Sequence, residues 1–376
     1  MLSMDSVKMN KKSLEILGTR GIPAQHGGFE TFAEKLSIYL VERGWDVTVY
    51  CQTPGADKVY TEQWNGINLT HIPVNRTGAI GTVLFDIKST ILASKKDSLV
   101  LTLGYNTAIL SIFYKLNKRK NIINMDGIEW KRQKWGLIEK SWLLINELLG
   151  CWLGDHLIAD HPTIATHLAT RTNNSRITMI PYGAELISRA NSDKILSLGI
   201  NPSEYALVIA RPEPENSILE IVKAFSKKKR GLSLIVLGNY YPTENEYHHR
   251  VKSSASSEVL FPGAIYDKNV VDELRFHARL YVHGHTVGGT NPSLVEAMGA
   301  AMPILAHDNA FNRWVTNNEA HYFESEDACA RAFDYLLDNK QELRRLKSAS
   351  LSRFETTFTW DRILKQYESL LTEWIK

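Results

Sequence analysis

The stretch His283-Gly284-His285-Thr286-Val287-Gly288-Gly289-Thr290-Asn291-Pro292-Ser293-Leu294-Val295-Glu296-Ala297-Met298-Gly299-Ala300-Ala301-Met302-Pro303 decides the fold. The runs 278–282 before it and 304–306 after it are short and apolar, as buried strands are. Between them, Gly288 and Gly289 let a ligand approach the backbone with no Cβ in the way. Asn291 fits a helix N-cap and Pro292 the first helical position. Amide N–H groups and the positive end of a helix dipole then meet at a glycine turn, as an anion such as a diphosphate requires. Glu296 lies one turn further along that helix. Its carboxylate can accept two hydroxyl hydrogen bonds there, as from a ribose. Spacing alone equally allows an ordinary strand–turn–helix with a solvated Glu296.

Outward from this stretch the same alternation recurs. Residues 1–12 are polar, as frayed termini are. Ser13 to Leu17 reads as a first strand and runs into a second glycine-rich loop, Gly18 to Thr31. A helix follows, opened by Glu30 and Thr31, closed by Gly44, with Phe32, Ala33, Leu36, Tyr39 and Leu40 on one face. The loop is neither a dinucleotide fingerprint nor a Walker loop. Further strands are expected at 46–51, 67–73, 98–103, 121–124, 157–162 and 177–181, with helices at 81–93, up to 117 and at 136–154. Past a break near 185 the alternation restarts, with strands at 205–210, 233–238 and 259–263 and helices at 217–225 and 267–277. Such alternation predicts two parallel, doubly wound sheets. Ligands bind beyond the carboxyl ends of strands in such sheets. Gly27, Gly28, Tyr105, Asn106, Asp126 and Glu129 fall at such ends, where each is also an ordinary turn or cap residue. An amphipathic helix at 360–374 follows the second unit and is expected to pack back across the first.

Composition narrows the class. A chain of 376 residues with 44% hydrophobic and 23% charged residues suits two globular domains. A net charge of +3 is too small to point to nucleic acid. Basic residues cluster at Lys115, Lys118, Arg119 and Lys120, at Lys131, Arg132 and Lys134, and at Lys227 to Arg230. These are solvated faces or, for the first two, attractors of an anionic membrane surface. Trp130, Trp135, Trp142 and Trp152 share that region, and such aromatic–basic mixtures suit a bilayer interface as well as a filled core. Three widely separated cysteines point to a reducing compartment without a disulfide framework. There is no signal-peptide h-region, and the apolar stretch from Trp142 to Leu153 is too short to span a bilayer.

With both glycine loops placed, the chain resembles the GT-B glycosyltransferases of family 4. More narrowly, it resembles the rhamnosyltransferase-like branch of bacterial capsule, O-antigen and cell-wall polysaccharide synthesis. The resemblance rests on Leu17 to Pro23 with Gly27 to Thr31, on Asn124 to Arg132, on Ala210 to Asn216 and on Gly284 to Met298. It implies an α/β chain of two Rossmann-like domains with parallel sheets facing a central cleft. Residues 1–185 would bind the acceptor, 186–355 the nucleotide sugar, and 356–376 would return to the first domain. It implies a retaining, metal-independent transfer from a nucleotide sugar, with dTDP-rhamnose the favoured donor. The implied acceptor is a lipid-diphosphate-linked saccharide at the inner face of the cytoplasmic membrane, and no cofactor is expected. Another donor such as UDP-glucose, UDP-galactose or UDP-N-acetylglucosamine, a non-hydrolysing epimerase and a silent nucleotide-sugar-binding subunit are the alternatives.

Residue by residue, Glu296 matches the family glutamate that holds the ribose, and Arg211 matches its diphosphate-binding arginine. The family's other glutamate falls on Gly288 and its lysine on Asn216, so an acid and a cation are missing. Arg20 is our candidate to restore the charge. The expected diphosphate site is therefore Arg20, Gly27, Gly28, Arg211, Gly288, Gly289, Thr290 and Asn291, with Glu296 for the nucleotide. Asp126, Arg211 and Glu296 are the expected catalytic set, and Tyr105, Asn106, Asp126 and Glu129 the acceptor side. His283 and His285 read as structural histidines. A chain lacking an Asp-x-Asp metal motif would neutralise the leaving diphosphate with guanidinium groups and amides.

Overall fold

The computed structural model describes residues 12–24 and 27–375. The N-terminal residues 1–11, Gln25 and His26 of the first glycine loop, and Lys376 lie outside the described residues. The first lobe contains β1 (Ser13–Leu17), α1 (Gly28–Val41), β2 (Asp46–Pro54), β3 (Tyr60–Trp64), β4 (Ile67–Val74), α2 (Gly78–Ser94), β5 (Leu99–Leu103), α3 (Ile112–Leu116), β6 (Asn121–Asn124), α4 (Leu137–Leu153), β7 (His156–Ala159), α5 (Pro162–Ala169) and β8 (Ile177–Met179). Among the described residues these strands form one sheet in the order β3-β4-β2-β1-β5-β6-β7-β8. Every pairing is parallel except β3 with β4. Helices cover both faces, which is why Leu14, Ile16, Val100 and Leu101 of β1 and β5 are fully buried and even Glu15 of β1 is out of solvent.

The second lobe contains α6 (Asp193–Ser197), β9 (Tyr205–Ile209), α7 (Ile218–Ser226), β10 (Ser233–Leu237), α8 (Glu246–Ser253), β11 (Val259–Gly263), α9 (Lys268–His277), β12 (Leu280–His283), α10 (Pro292–Gly299), β13 (Ile304–His307), α11 (Ala310–Val315), β14 (His321–Phe323), α12 (Glu326–Leu336) and α13 (Lys340–Thr357). Its sheet runs β11-β10-β9-β12-β13-β14. The last helix, α14 (Trp360–Trp374), leaves this lobe and joins the core of the first, as expected. Ile363, Leu364, Tyr367, Leu370 and Leu371 are buried there beside Phe32, Leu36 and Leu40 of α1. The Tyr367 hydroxyl accepts a hydrogen bond from Asn124 Nδ2 at 2.9 Å. Where α14 departs, Thr359 bridges to Ala184, Ala184 N–H donates to Phe358 O at 2.8 Å and Trp360 N–H to Ala184 O at 3.3 Å.

The strand order fixes where a ligand can lie. In each sheet the order reverses at one place, between β1 and β5 in the first and between β9 and β12 in the second. The loops after these strands splay apart there and leave a crevice at the carboxyl ends. The two glycine loops and Arg211 stand at those ends. Some boundaries differ from expectation. Helix α1 begins at Gly28, two residues earlier than read, because Gly27 O already accepts Thr31 N–H at 3.2 Å. Strand β3 was not expected. Four of its five residues are exposed, so it shows no apolar run, and it is set by the Asn65-Gly66 turn, both residues at positive φ.

Candidate functional site

The two glycine loops face one gap. A Cβ on Gly28 would lie 3.2 Å from Pro292 Cγ, so the first turns of α1 and α10 meet across it. Beside them a Cβ on Gly127 would lie 3.2 Å from Gly288 Cα, which brings the β6 loop of the first lobe onto the second lobe's turn. The first sets the Pro292 ring against backbone and the second sets backbone against backbone, and both are too close for a side chain at the glycine without a shift. Asn291 caps α10 as expected: its Oδ1 accepts Ser293 N–H at 3.0 Å and Ser293 Oγ–H at 2.8 Å, and Pro292 is the first helical residue. The cap takes the Ser293 amide and the Asn291 Oδ1 out of play, while the donor Nδ2 of Asn291 takes no part in it.

A residue absent from the sequence reading occupies the turn. Asp160 follows β7 in the first lobe, and its Oδ2 accepts the Thr290 N–H at 2.8 Å. The Thr290 hydroxyl donates to the Asp160 carbonyl. The expectation that the Thr290 amide stands open to a diphosphate is thus corrected, because the other lobe already holds it. A Cβ on Gly289 would overlap Asp160 Oδ1, so glycine is required under this carboxyl. Oδ1 itself is out of solvent and has no hydrogen-bond partner. Burial first, then the Asp126 charge, holds the Asp160 carboxyl well above the ordinary carboxylate range.

Next to this acidic corner lies a cationic one. Arg211, after β9, is exposed, and its guanidinium has no ion-pair partner among the described residues. Asn216 fixes the loop around it, donating Nδ2–H to Arg211 O at 2.8 Å, while its Oδ1 lies 2.6 Å from His285 Nδ1. With that contact Nδ1 carries the hydrogen of a neutral imidazole, and burial, Arg132 and Arg211 push His285 down to about 3. His285 is structural, as read, and so is Asn216. The run Lys131, Arg132, Lys134 was read as a solvated or membrane-facing patch, and for Arg132 the structure corrects this. Arg132 Nε pairs with Glu129 at 2.8 Å and its Nη1 reaches Glu215 of the other lobe at 3.4 Å. Lys134 is exposed, lies over the Trp135 ring at 4.5 Å, and is held below the usual lysine range by desolvation and then by the Arg211 and Arg132 charges. Glu129 is therefore the buried anchor of Arg132 and does not face an acceptor. Asp126 stands between the two corners at a left-handed φ of 52°. Burial and Glu129 push it up to about 6 against the pull of Arg132 and Arg211.

Glu296 points from α10 to Arg275 of α9, whose Nη2 bonds its Oε2. This holds one carboxylate oxygen and leaves the other to a ligand. Arg275 was missed because only the fold brings α9 against α10. Tyr105, expected on the acceptor side, is buried, and its hydroxyl accepts the Glu129 N–H at 2.8 Å, supporting the Asp126 loop from behind. Asn106 is exposed and lines, with Gly18, Arg20, Asp86, Trp135 and Trp142, a cavity of about 720 Å³ in the first lobe. Arg20 thus opens on this cavity, while Lys134 accompanies Arg211. Burial pushes Asp86 up to about 6, against a 2.8 Å hydrogen bond from Thr107. Beside the cavity, α4 exposes Leu137, Ile138, Trp142, Ile145, Leu148 and Trp152 along one stripe. No helix among the described residues is long and apolar enough to cross a membrane, and no group of three His, Cys, Asp or Glu among them is placed to hold a metal ion.

Residues 11–185 match a family described as a domain of unknown function (DUF1972). Residues 194–353 match the family of glycosyl transferases group 1. The whole chain is similar to sucrose-phosphate synthase from Thermosynechococcus elongatus, with a TM-score of 0.79 and 17% identity over 96% of this chain and 99% of that one. The chain has the GT-B fold, with a group 1 glycosyltransferase domain in its second lobe. The same GT-B fold recurs in HepE of Anabaena, solved with UDP and glucose, at a TM-score of 0.76 and 14% identity over 96% of this chain and 100% of that one. A glycosyltransferase from Rickettsia africae matches at a TM-score of 0.71 and 15% identity, covering 97% and 98%. A comparison with curated proteins finds no match.

Proposed function

We propose that this protein is a retaining, metal-independent glycosyltransferase that moves a sugar, best read as L-rhamnose from dTDP-rhamnose, to a lipid-linked saccharide in bacterial surface polysaccharide synthesis. One observation supports it above the others: two glycine loops at the reversal points of two sheets face a single gap, with Glu296 one turn into α10 and Asp126 within reach of the Arg211 charge. In this reading Glu296, steadied by Arg275, accepts ribose hydroxyls. The bond from the anomeric carbon to the diphosphate breaks as the acceptor oxygen attacks from the same face. Negative charge grows on the leaving phosphate, and Arg211 and Lys134 stabilise it from opposite lobes. Removing one such preorganised donor typically costs about 3–4 kcal/mol of transition-state stabilisation. The departing phosphate takes the acceptor proton. Asp126 lies where positive character develops on the sugar. The 720 Å³ cavity would admit the acceptor, and the exposed stripe on α4 would seat the protein on the cytoplasmic face of the membrane. The likeness to HepE, solved with UDP and glucose, agrees with a nucleotide-sugar donor but selects no sugar.

The test is a thermal-shift panel of nucleotide sugars, followed by turnover of the stabilising donor. A donor present at one hundred times its dissociation constant adds about 2.7 kcal/mol of stability. Arg211→Ala and Glu296→Ala should each lower turnover by more than about tenfold, the loss of one charged hydrogen bond. Full turnover in both variants removes the site assignment, and activity that needs an added divalent ion removes the metal-free mechanism.

A further inference from the structure

We infer that Asp160 is the side chain that holds the hydroxyls of the donor sugar, and that it sets the direction in which the donor lies in the gap. The inference rests on the transfer reading above and deepens it. The second lobe has Gly288 and Gly289 at the tip of this turn, where the resemblance places an acid, so it brings no carboxylate of its own to meet a sugar. The first lobe supplies one. Asp160 is tied at two points to Thr290, through its Oδ2 and its carbonyl, so the carboxyl is fixed before any ligand arrives. Its Oδ1 is left over, out of solvent and without a partner. A buried polar oxygen with no hydrogen bond is costly, and native structures retain one where a ligand completes it. A hydroxyl suits it, because it accepts from a protonated carboxyl and donates to an ionised one.

A phosphate does not suit this corner. Asp126 is the charged group that acts on Asp160, and no cation does. A diphosphate placed there would face two carboxyls. The cations belong to the neighbouring corner, where Arg132 pairs with Glu129 and Glu215 and Asn216 ties the Arg211 loop to His285. Charge therefore sorts the donor, with diphosphate towards Arg211 and Lys134 and sugar towards Asp126 and Asp160.

Titration calorimetry on the full chain tests this with UDP, dTDP, UDP-glucose and dTDP-rhamnose. The wild-type chain should bind one nucleotide sugar more tightly than the corresponding nucleoside diphosphate. In Asp160→Asn and Asp160→Ala the nucleoside diphosphate should bind within about twofold of wild type, while the nucleotide sugar loses about tenfold or more, or about 1.4 kcal/mol. Equal losses for both ligands overturn the inference, because Asp160 would then serve only to dock the lobes. A second measurement needs no variant. Monodeoxy analogues of the bound donor should include at least one that binds wild type about tenfold more weakly; equal binding by all of them overturns the inference too. Binding of none of the four ligands sinks the transfer reading, and the inference with it, whereas an intact nucleotide site with a sugar-blind Asp160 sinks the inference alone.

Discussion

Asn216 stands where the resemblance expects a lysine, yet its amide ties Arg211 O to His285 and so fixes the loop that presents the arginine. Asn216 thus acts as a scaffold and not as a charge, and Lys134 of the other lobe is a cation that feels the Arg211 charge. Asp126 shows what such crowding does to a carboxyl. It is raised from 3.8 to about 6, so between those values the folded chain holds a proton that the unfolded chain has released. The stability this confers is complete below about pH 4 and is lost as the pH rises to about 6. Asp126→Asn is neutral throughout. Urea unfolding at about pH 4 and about pH 7 should therefore show the variant gaining on wild type as the pH rises, and parallel behaviour would show that Asp126 titrates normally. At this scale the sequence was legible only where partners are local. Asn291 and Pro292 were readable because a cap is made within three residues. Asp160 was not, because its partner Thr290 lies 130 positions away.

Among the elements, α4 departs most from ordinary burial. Its Glu147, set within an apolar run, is buried and bonded by Trp130, His167 and Arg171. The apolar side faces out instead, with Leu137 85% and Trp152 74% exposed. Exposed side chains of that size, repeated over four turns, need a covering surface. Leu137→Ser with Trp152→Ser should reduce co-flotation with anionic liposomes severalfold while changing stability by no more than about 0.5 kcal/mol, since neither residue supports the core. Undiminished flotation would remove α4 as the docking face. Central strands were readable because parallel strands covered on both faces are unbroken apolar runs. Helix α13 was not, because only Leu346, Ser350 and Phe354 of its 18 residues are buried and most of the others are polar. Strand β3 was missed for the same reason, although its Asn-Gly turn was in plain view.

For the molecule as a whole, two lobes and a returning helix were readable from the restart of strand–helix alternation near residue 185 and from the pattern of α14. What crosses the gap was not readable: Arg132 to Glu215 and Asp160 to Thr290 join residues that only the folded chain brings together. The return of α14 makes a prediction at this scale. Leu371→Ala, at a site with no exposure, should cost about 2–5 kcal/mol, and the loss should fall on the first lobe although the residue follows the second in sequence. Hydrogen exchange resolved along the chain would locate it; a loss confined to the β9–β14 sheet would contradict the packing.

The paired crossing at Ala184 and Thr359 has a mechanical consequence. Two covalent strands leave side by side and are bonded to each other, so they behave as a two-pin hinge and not as a tether. Bending about the line through both pins stays cheap, whereas twisting would have to tear Ala184 from Phe358 and Trp360. If the gap opens to exchange a donor, as the transfer reading requires, this crossing would confine the opening to one arc and return the walls to the same register.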